Sequence, residues 1–131
     1  MKHLSEQQRK ALTLKLSERT RFLAASVREE LAASDTQHYR DLAGAVTDTA
    51  DEALASVLVD VDAAIIDRHV NELRDIEAAR HRMVSQTYGI CIDCDDEIAY
   101  ERLFAYPTAK RCVRCQQRRE HVYAQQGRPT L

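Results

Sequence analysis

Four cysteines carry the clearest chemistry in this chain. They stand as Cys91-x-x-Cys94 and Cys112-x-x-Cys115, with residues 95–111 between the two pairs. A CxxC turn brings two sulfurs to one side of a tight loop. Two such loops complete a tetrahedron around a metal ion, with sulfurs about 2.3 Å from it. The pattern predicts one zinc ion. Four thiolates leave no coordination position for water or substrate, so the zinc is expected to be structural and not catalytic. Two disulfides, or iron at the same sulfurs, are the alternatives. Disulfides require an oxidising compartment, and nothing in the sequence points to one.

The remaining candidate residues suggest little further chemistry. His3, His38, His69, His81 and His121 are scattered. His121 follows the second cysteine pair closely, but four thiolates already fill the tetrahedron. No Ser/His/Asp motif suggests a triad, and no glycine loop suits a phosphate, so an enzyme is not expected. Lys110, Arg111, Arg114, Arg118 and Arg119 form a basic cluster. Asp93, Asp95, Asp96, Glu97, Glu101 and Glu120 nearly cancel it, and the formal net charge is −2. A solvated or protein-contacting surface fits this balance better than DNA binding, which draws on bulk basicity.

The elements that must position the cysteines read as helices. The chain has only 3 glycines, 2 prolines and no tryptophan, with 31% charged residues. That composition favours long helices. Ser5-Glu6-Gln7-Gln8 looks like a capping box. From there the pattern predicts an amphipathic helix to about residue 39, about 45 Å long, with Leu12, Leu16, Leu23, Val27 and Leu31 on one face. Residues 41–51, with Gly44 among small and polar neighbours, read as a turn, and Thr47 or Asp48 as the next N-cap. A second helix is expected over 51–87, striped by Leu54, Val57, Leu58, Val61, Ile65, Leu73, Ile76, Ala79 and Met83. Arg68 and Glu72 interrupt the stripe, and Gly89 would stop the helix. Two such helices fold back as an antiparallel hairpin. Neither has a wide apolar face, so a projecting arm is expected.

The finger would follow, with Ile98, Tyr100, Leu103 and Phe104 as a small apolar cluster. A last helix is expected over 113–125, ended by Gly127 and Pro129. The expected fold class is mainly α: an antiparallel two-helix coiled-coil arm over 1–87, with a tip at 41–53, and a four-cysteine zinc-finger module with a C-terminal helix over 88–131. The N-terminus carries no apolar signal segment, and no stretch approaches the roughly 18 apolar residues of a membrane span. A cytoplasmic monomer with reduced cysteines and no membrane contact is the expectation.

Charge along the arm is uneven. Residues 41–67 contain Asp41, Asp48, Asp51, Glu52, Asp60, Asp62 and Asp67, and no lysine or arginine. This fits a solvated helix end whose dipole favours acids. An acidic tip presented to a basic or metal-containing site is the functional reading. Composition leaves both open.

Residues beyond the cysteines carry a family resemblance. Tyr88-Gly89-Ile90-Cys91-Ile92-Asp93-Cys94, then Arg102-Leu103, then Pro107-Thr108-Ala109 ahead of Cys112, closely resemble the DksA/TraR family of bacterial transcription regulators. The likeness covers residues 48–120. It implies a zinc finger with a coiled-coil arm that binds RNA polymerase and not DNA, the arm entering the secondary channel of the enzyme. The arm tip of DksA carries Asp-x-x-Asp-x-Ala near the polymerase active site. Asp48-Thr49-Ala50-Asp51-Glu52-Ala53 fits that pattern, so the resemblance implies Asp48, Asp51 and Ala53 as tip residues. Arg68 falls on an arginine of the DksA arm and is a possible polymerase contact.

Two features depart from the family. The segment before the first helix is shorter. Positions at which DksA has basic residues for the alarmone ppGpp are Asp75, Tyr106 and Gln116 here, which implies regulation without ppGpp synergy. The alternatives from other classes are a zinc-ribbon DNA-binding protein and a structural coiled-coil adaptor.

Overall fold

The first helix begins where its cap predicts. The Ser5 hydroxyl accepts from the Gln8 amide at 3.0 Å, and the Gln8 side chain accepts from the Ser5 amide at 2.9 Å. In the computed structural model, which describes residues 1–58 and 64–126 (backbone alone for 64–66 and 125–126), α1 spans Glu6–Ala32. Leu12, Leu16, Leu23, Val27 and Leu31 are all buried, as their spacing predicts. Thr20 is buried on the same stripe, with its hydroxyl bonded to the Leu16 carbonyl at 2.8 Å.

The partner of α1 is α4, Ala64–Val84, which buries Val70, Leu73, Ile76 and Ala79. The cross-links between them fix an antiparallel sense. Thr13 meets Met83, Thr20 meets Arg80, Arg19 meets Glu72, and Glu30 lies 3.3 Å from His69. Each fully buried leucine in this seam contributes about 1.5–3 kcal/mol of hydrophobic free energy.

What joins the two helices differs from a single turn. α1 stops at Ala32, not near residue 39. Ser34-Asp35-Thr36 compete for backbone hydrogen bonds, as such residues do, and the Ser34 hydroxyl accepts from the Thr36 amide at 3.1 Å. A second helix, α2, spans Gln37–Val46 and packs back on α1. The expected turn at 41–51 is therefore helical over its first half. Gly44 lies inside α2, where a Cβ would meet nothing. Thr47 caps the C-terminus of α2 and does not begin the next helix. A 3₁₀ turn at Asp51–Ala53 and a one-turn helix, α3, at Leu54–Val57 follow. The expected continuous helix over 51–87 is thus divided. Leu54, Ala55 and Leu58 are buried, α3 packs on α4, and Val57 is exposed. Val61 and the side chain of Ile65, both placed on the stripe, lie outside the described residues, as do Asp60 and Asp62.

The end of α4 is also set differently. Gln86 takes φ 62°, the Thr87 amide bonds Arg82 O at 2.8 Å, and the Gln86 amide bonds Met83 O at 3.3 Å. This is a Schellman ending with Gln86 in the left-handed position that glycine usually fills. Gly89 has another duty. It adopts φ +80°, and a Cβ there would stand 3.1 Å from His3 Cε1 and 3.3 Å from Leu4 Cδ1. The chain's N-terminus packs onto the start of the finger at this point, with His3 Nε2 donating to Ile98 O at 2.8 Å.

The finger carries α5, Tyr100–Ala105, and α6, Val113–Gln126. Gly127 and Pro129, expected to end α6, lie outside the described residues. Ile98 and Leu103 are buried, while Phe104 is 44% exposed at the edge of the expected cluster, its ring 5.7 Å from that of Tyr100. Its outer face lies under Lys15 Nζ, 3.6 Å from the centroid, and its carbonyl accepts from the same amine at 2.7 Å. Among the described residues no strand forms beyond an isolated bridge between Ile90 and Glu97, and no helix is long and apolar enough to cross a membrane.

Candidate metal centre

Two short loops bring the four sulfurs together. In the first, the Cys91 amide bonds Asp96 O at 2.8 Å, the Asp95 amide bonds Cys91 O at 3.0 Å, and the Ile98 amide bonds Gly89 O at 2.7 Å. Asp95 closes the loop with φ 63°, which Asp tolerates better than most side chains. The second loop is tied to the first by the Ile92 amide on Lys110 O at 2.9 Å. It leads directly into α6, whose first turn contains Cys115.

The ligand atoms of Cys91, Cys94, Cys112 and Cys115 all lie within 4.8 Å of one another. Sulfurs about 2.3 Å from one tetrahedral ion stand about 3.8 Å apart, and Cys94 Sγ lies 3.8 Å from Cys112 Sγ. None of the four is paired as a disulfide, and a single point shared by four sulfurs suits one metal ion better than two separate disulfides. The donor set fits one zinc ion, held by four sulfurs and closed to substrate. Cys91 and Cys115 are buried, and Cys94 faces outward.

The surroundings favour thiolate unevenly. Burial opposes charge on Cys91, but N–H groups of Cys112, Cys94 and Asp93 aimed at its sulfur outweigh that and bring its pKa down to about 6. Hydrogen bonding with the Cys112 sulfur, and burial, push Cys115 up to about 12. A divalent cation at their centre favours thiolate at all four.

The finger is braced by groups that composition did not single out. Arg111, read from sequence as part of a surface basic cluster, is 9% exposed, and its Nε donates to Asp93 Oδ2 at 2.8 Å. Tyr88 is fully buried and donates to Pro107 O at 2.7 Å. Burial pushes its pKa up to about 12, with Arg82 acting in the opposite sense. Arg114 pairs with Asp96 at 2.8 Å.

The acidic residues lie elsewhere. Asp48 and Ala53 are exposed, while Asp51 is half-buried. Asp51 Oδ1 accepts from Arg28 Nη1 at 2.6 Å, and Glu52 stands 4.0 Å from Arg80 of α4. The segment therefore lies alongside the α1–α4 pair, where the sequence suggested a tip at the end of a projecting arm. The reason is apolar: Leu54 and Leu58 find burial only by turning back onto the helices. Arg28 and His3 were missed by sequence reading, and neither has a spacing signal. Arg68 is exposed on α4, beside Asp67, Asn71, Glu72 and Asp75 around a shallow depression.

Asp75, Tyr106 and Gln116 do come together. They line one concavity of about 390 Å³ with Arg102, Lys110, Arg111 and Glu120. Two of the cations are committed: Arg111 to Asp93, and Arg102, whose Nε donates to Arg111 O at 3.0 Å.

Comparison with known proteins places this geometry in context. Residues 86–121 match the prokaryotic dksA/traR C4-type zinc finger. The chain is 30% identical over 86 residues to the RNA polymerase-binding transcription factor DksA of Haemophilus influenzae, a match covering 66% of this chain and 59% of that protein. It is 42% identical over 43 residues to an uncharacterized protein of Aquifex aeolicus, covering 33% of this chain and 30% of the relative. It is 44% identical over 43 residues to an uncharacterized 8.2 kDa protein from the gpA 5′ region of Escherichia phage P2, covering 33% and 58%. The chain thus spans less than two thirds of each of these relatives. No solved structure gives a significant match.

Proposed function

The chain carries a zinc finger of the DksA/TraR family at 86–121, and from that premise we propose that it regulates bacterial transcription by binding RNA polymerase. The observation that carries this reading is the reach of the match to the Haemophilus factor. Its 86 aligned residues are too many to lie within the finger, so the likeness takes in helical sequence as well. On this reading the module over 88–131 and its C-terminal helix dock at the channel rim. The helical region over 1–87 enters the secondary channel, with Arg68 on its exposed face as a contact. Asp48 and Asp51 supply charge and hydrogen-bond acceptors, and Ala53 permits close approach. The protein works as a cytoplasmic monomer, without catalysis and without sequence-specific DNA contacts.

The first test is co-purification with core RNA polymerase, with and without DNA. Binding that needs DNA and falls steeply with salt would favour the DNA-binding alternative. The second is Asp48→Asn. This residue is exposed, so stability should change by less than about 0.5 kcal/mol. Polymerase binding should survive while the effect on a sensitive promoter falls. Wild-type regulation by Asp48→Asn and Asp51→Asn proteins would remove the acidic segment from the mechanism.

The same reading includes independence from ppGpp. A polyanionic ligand wants charge-assisted hydrogen bonds from Lys or Arg. The concavity holds Asp75 and Glu120 among its cations. A like charge at about 4 Å costs roughly 1 kcal/mol in water and about 4 kcal/mol at an effective dielectric of 20. Promoter titrations with and without ppGpp, on polymerase lacking its own separate ppGpp site, should agree. Strong potentiation would refute this part.

A further inference from the structure

The segment from α2 to Leu58 is made of pieces that would not stand alone. α2 has 10 residues, no side-chain bond at its Thr36 cap, no acid in its first turn and no base in its last. Gly44 lies inside it, and an interior glycine weakens a helix. α3 is a single turn of 4 residues. Isolated helices shorter than about 12–15 residues are marginal in water. The segment therefore owes its place to tertiary contacts.

Those contacts are of two kinds. Among the described residues the apolar ones are Val46, Leu54, Ala55 and Leu58, which are buried, with Tyr39, Leu42 and Ala43 partly buried against the same core. Among the polar ones, Glu52 stands 4.0 Å from Arg80 of α4, and three hydrogen bonds come from one side chain of α1. Arg28 of α1 donates to Asp51 Oδ1 at 2.6 Å, to Thr49 O at 2.5 Å and to Val46 O at 3.4 Å. A planar guanidinium can address a carboxylate and two carbonyls at once, which an ammonium cannot. Side-chain exposures of 29% for Arg28 and 28% for Asp51 make this pair better shielded than a surface ion pair. Of the two acids in the Asp-x-x-Asp-x-Ala stretch, Asp48 stays exposed and Asp51 is engaged.

We propose that Arg28 is a latch. It holds the acidic segment 48–53 against α1 and keeps the Asp51 carboxylate occupied, so the segment reaches a partner only after Arg28 releases it. The inference rests on the proposed role of that segment, but the latch itself needs no partner and is tested without one. The alternative is that Arg28 is one more structural contact whose loss loosens the whole helical region.

Amide hydrogen exchange on the full chain, with zinc bound, distinguishes these. The amides of Thr49, Ala53 and Leu58 are bonded within the segment, to Val46 O, Ala50 O and Leu54 O. In Arg28→Gln their exchange should quicken about tenfold, while that of α1, α4 and the finger stays at the wild-type rate. Arg28→Lys should behave similarly, because it keeps the charge and loses the fork. Asp51→Asn, a change at a half-exposed turn, carries the test if an Arg28 variant folds poorly. The double variant should exceed the larger single effect by little, as coupled partners do. Unchanged exchange at these three amides, or a uniform rise across α1 and α4, overturns the latch. Where wild-type protein regulates a promoter, Arg28→Gln should reach the same effect at several-fold lower concentration; an equal or higher requirement overturns the inhibitory role. A wild-type protein that fails to bind polymerase would sink the proposed function while the exchange result still decides the latch.

Discussion

The finger and the segment 37–58 are both short, yet they are held in opposite ways. The finger is tied from within. Its loops are closed by amide bonds between near neighbours, as from Cys91 to Asp96 and from Ile98 to Gly89, and its four sulfurs converge on one point. The segment 37–58 is tied from without, by α1 and α4. Its helices are poorly capped, and its main polar anchor is Arg28, which belongs to another element. A structure closed by local bonds and a metal is a unit whose loss is sharp. A structure closed by the side chains of its neighbours can open while those neighbours stay folded.

Metal removal tests this difference most severely. Structural zinc in finger peptides is worth about 10–16 kcal/mol of apparent binding free energy, which is folding free energy for such sites. Purified protein should contain about one zinc per chain. Chelation, or Cys91→Ser, should unfold residues 88–126 while the α1–α4 pair keeps most of its helical circular dichroism. A finger that stays ordered without metal would break the comparison. Leu54→Ala is the corresponding change in the other region. A buried leucine truncated to alanine costs about 2–5 kcal/mol. Segment 37–58 should open first, seen as exchange, while metal content stays at one zinc.

Gly89→Ala should cost roughly 1–3 kcal/mol, combining the left-handed backbone with a Cβ pressed on His3 and Leu4. His3→Ala combined with Gly89→Ala should recover the His3 share of the steric part and leave the backbone part and the Leu4 contact. Thermal unfolding of the four proteins separates the two.

The smallest effect belongs to the pair that braces α1 to α4. The hydrogen bond from Arg19 holds Glu72 below its ordinary 4.5, against the opposing effect of burial. A depressed carboxylate pKa stabilises the fold above the unfolded value, and the gain is lost as pH falls through the folded value. Both side chains are part-exposed, at 48% and 33%, so the pair is worth no more than about 1 kcal/mol. Glu72→Gln should lower stability by that much at pH 7. The difference from wild type should shrink once pH drops below 4.5.

Much of the metal centre was legible because its determinants are local. Two CxxC pairs are ligand types at a spacing, and no distant residue is needed to read them. The capping box at Ser5 and the stripe Leu12, Leu16, Leu23, Val27 and Leu31 were legible for the same reason: each depends on residues three, four or seven apart. The break at 33–36 had a signal in Ser34-Asp35-Thr36. That signal is weaker than a glycine or proline, yet here it ends the helix, while Gly44 lies inside one.

Other features were decided only in three dimensions. Asp51 looks like any acid in a run of acids until Arg28, 23 residues earlier, closes on it. Gly89 reads as a helix stop until His3 and Leu4 arrive beside it, and Gln86 takes over that role. Arg111 counts as surface charge until the fold buries it and pairs it with Asp93. In each case the deciding energy comes from a group far away in the chain, and periodicity carries no record of such encounters. Local spacing determined the metal ligands and the buried stripes of α1 and α4. Long-range burial and charge pairing determined where the acidic segment rests and which of its carboxylates is engaged.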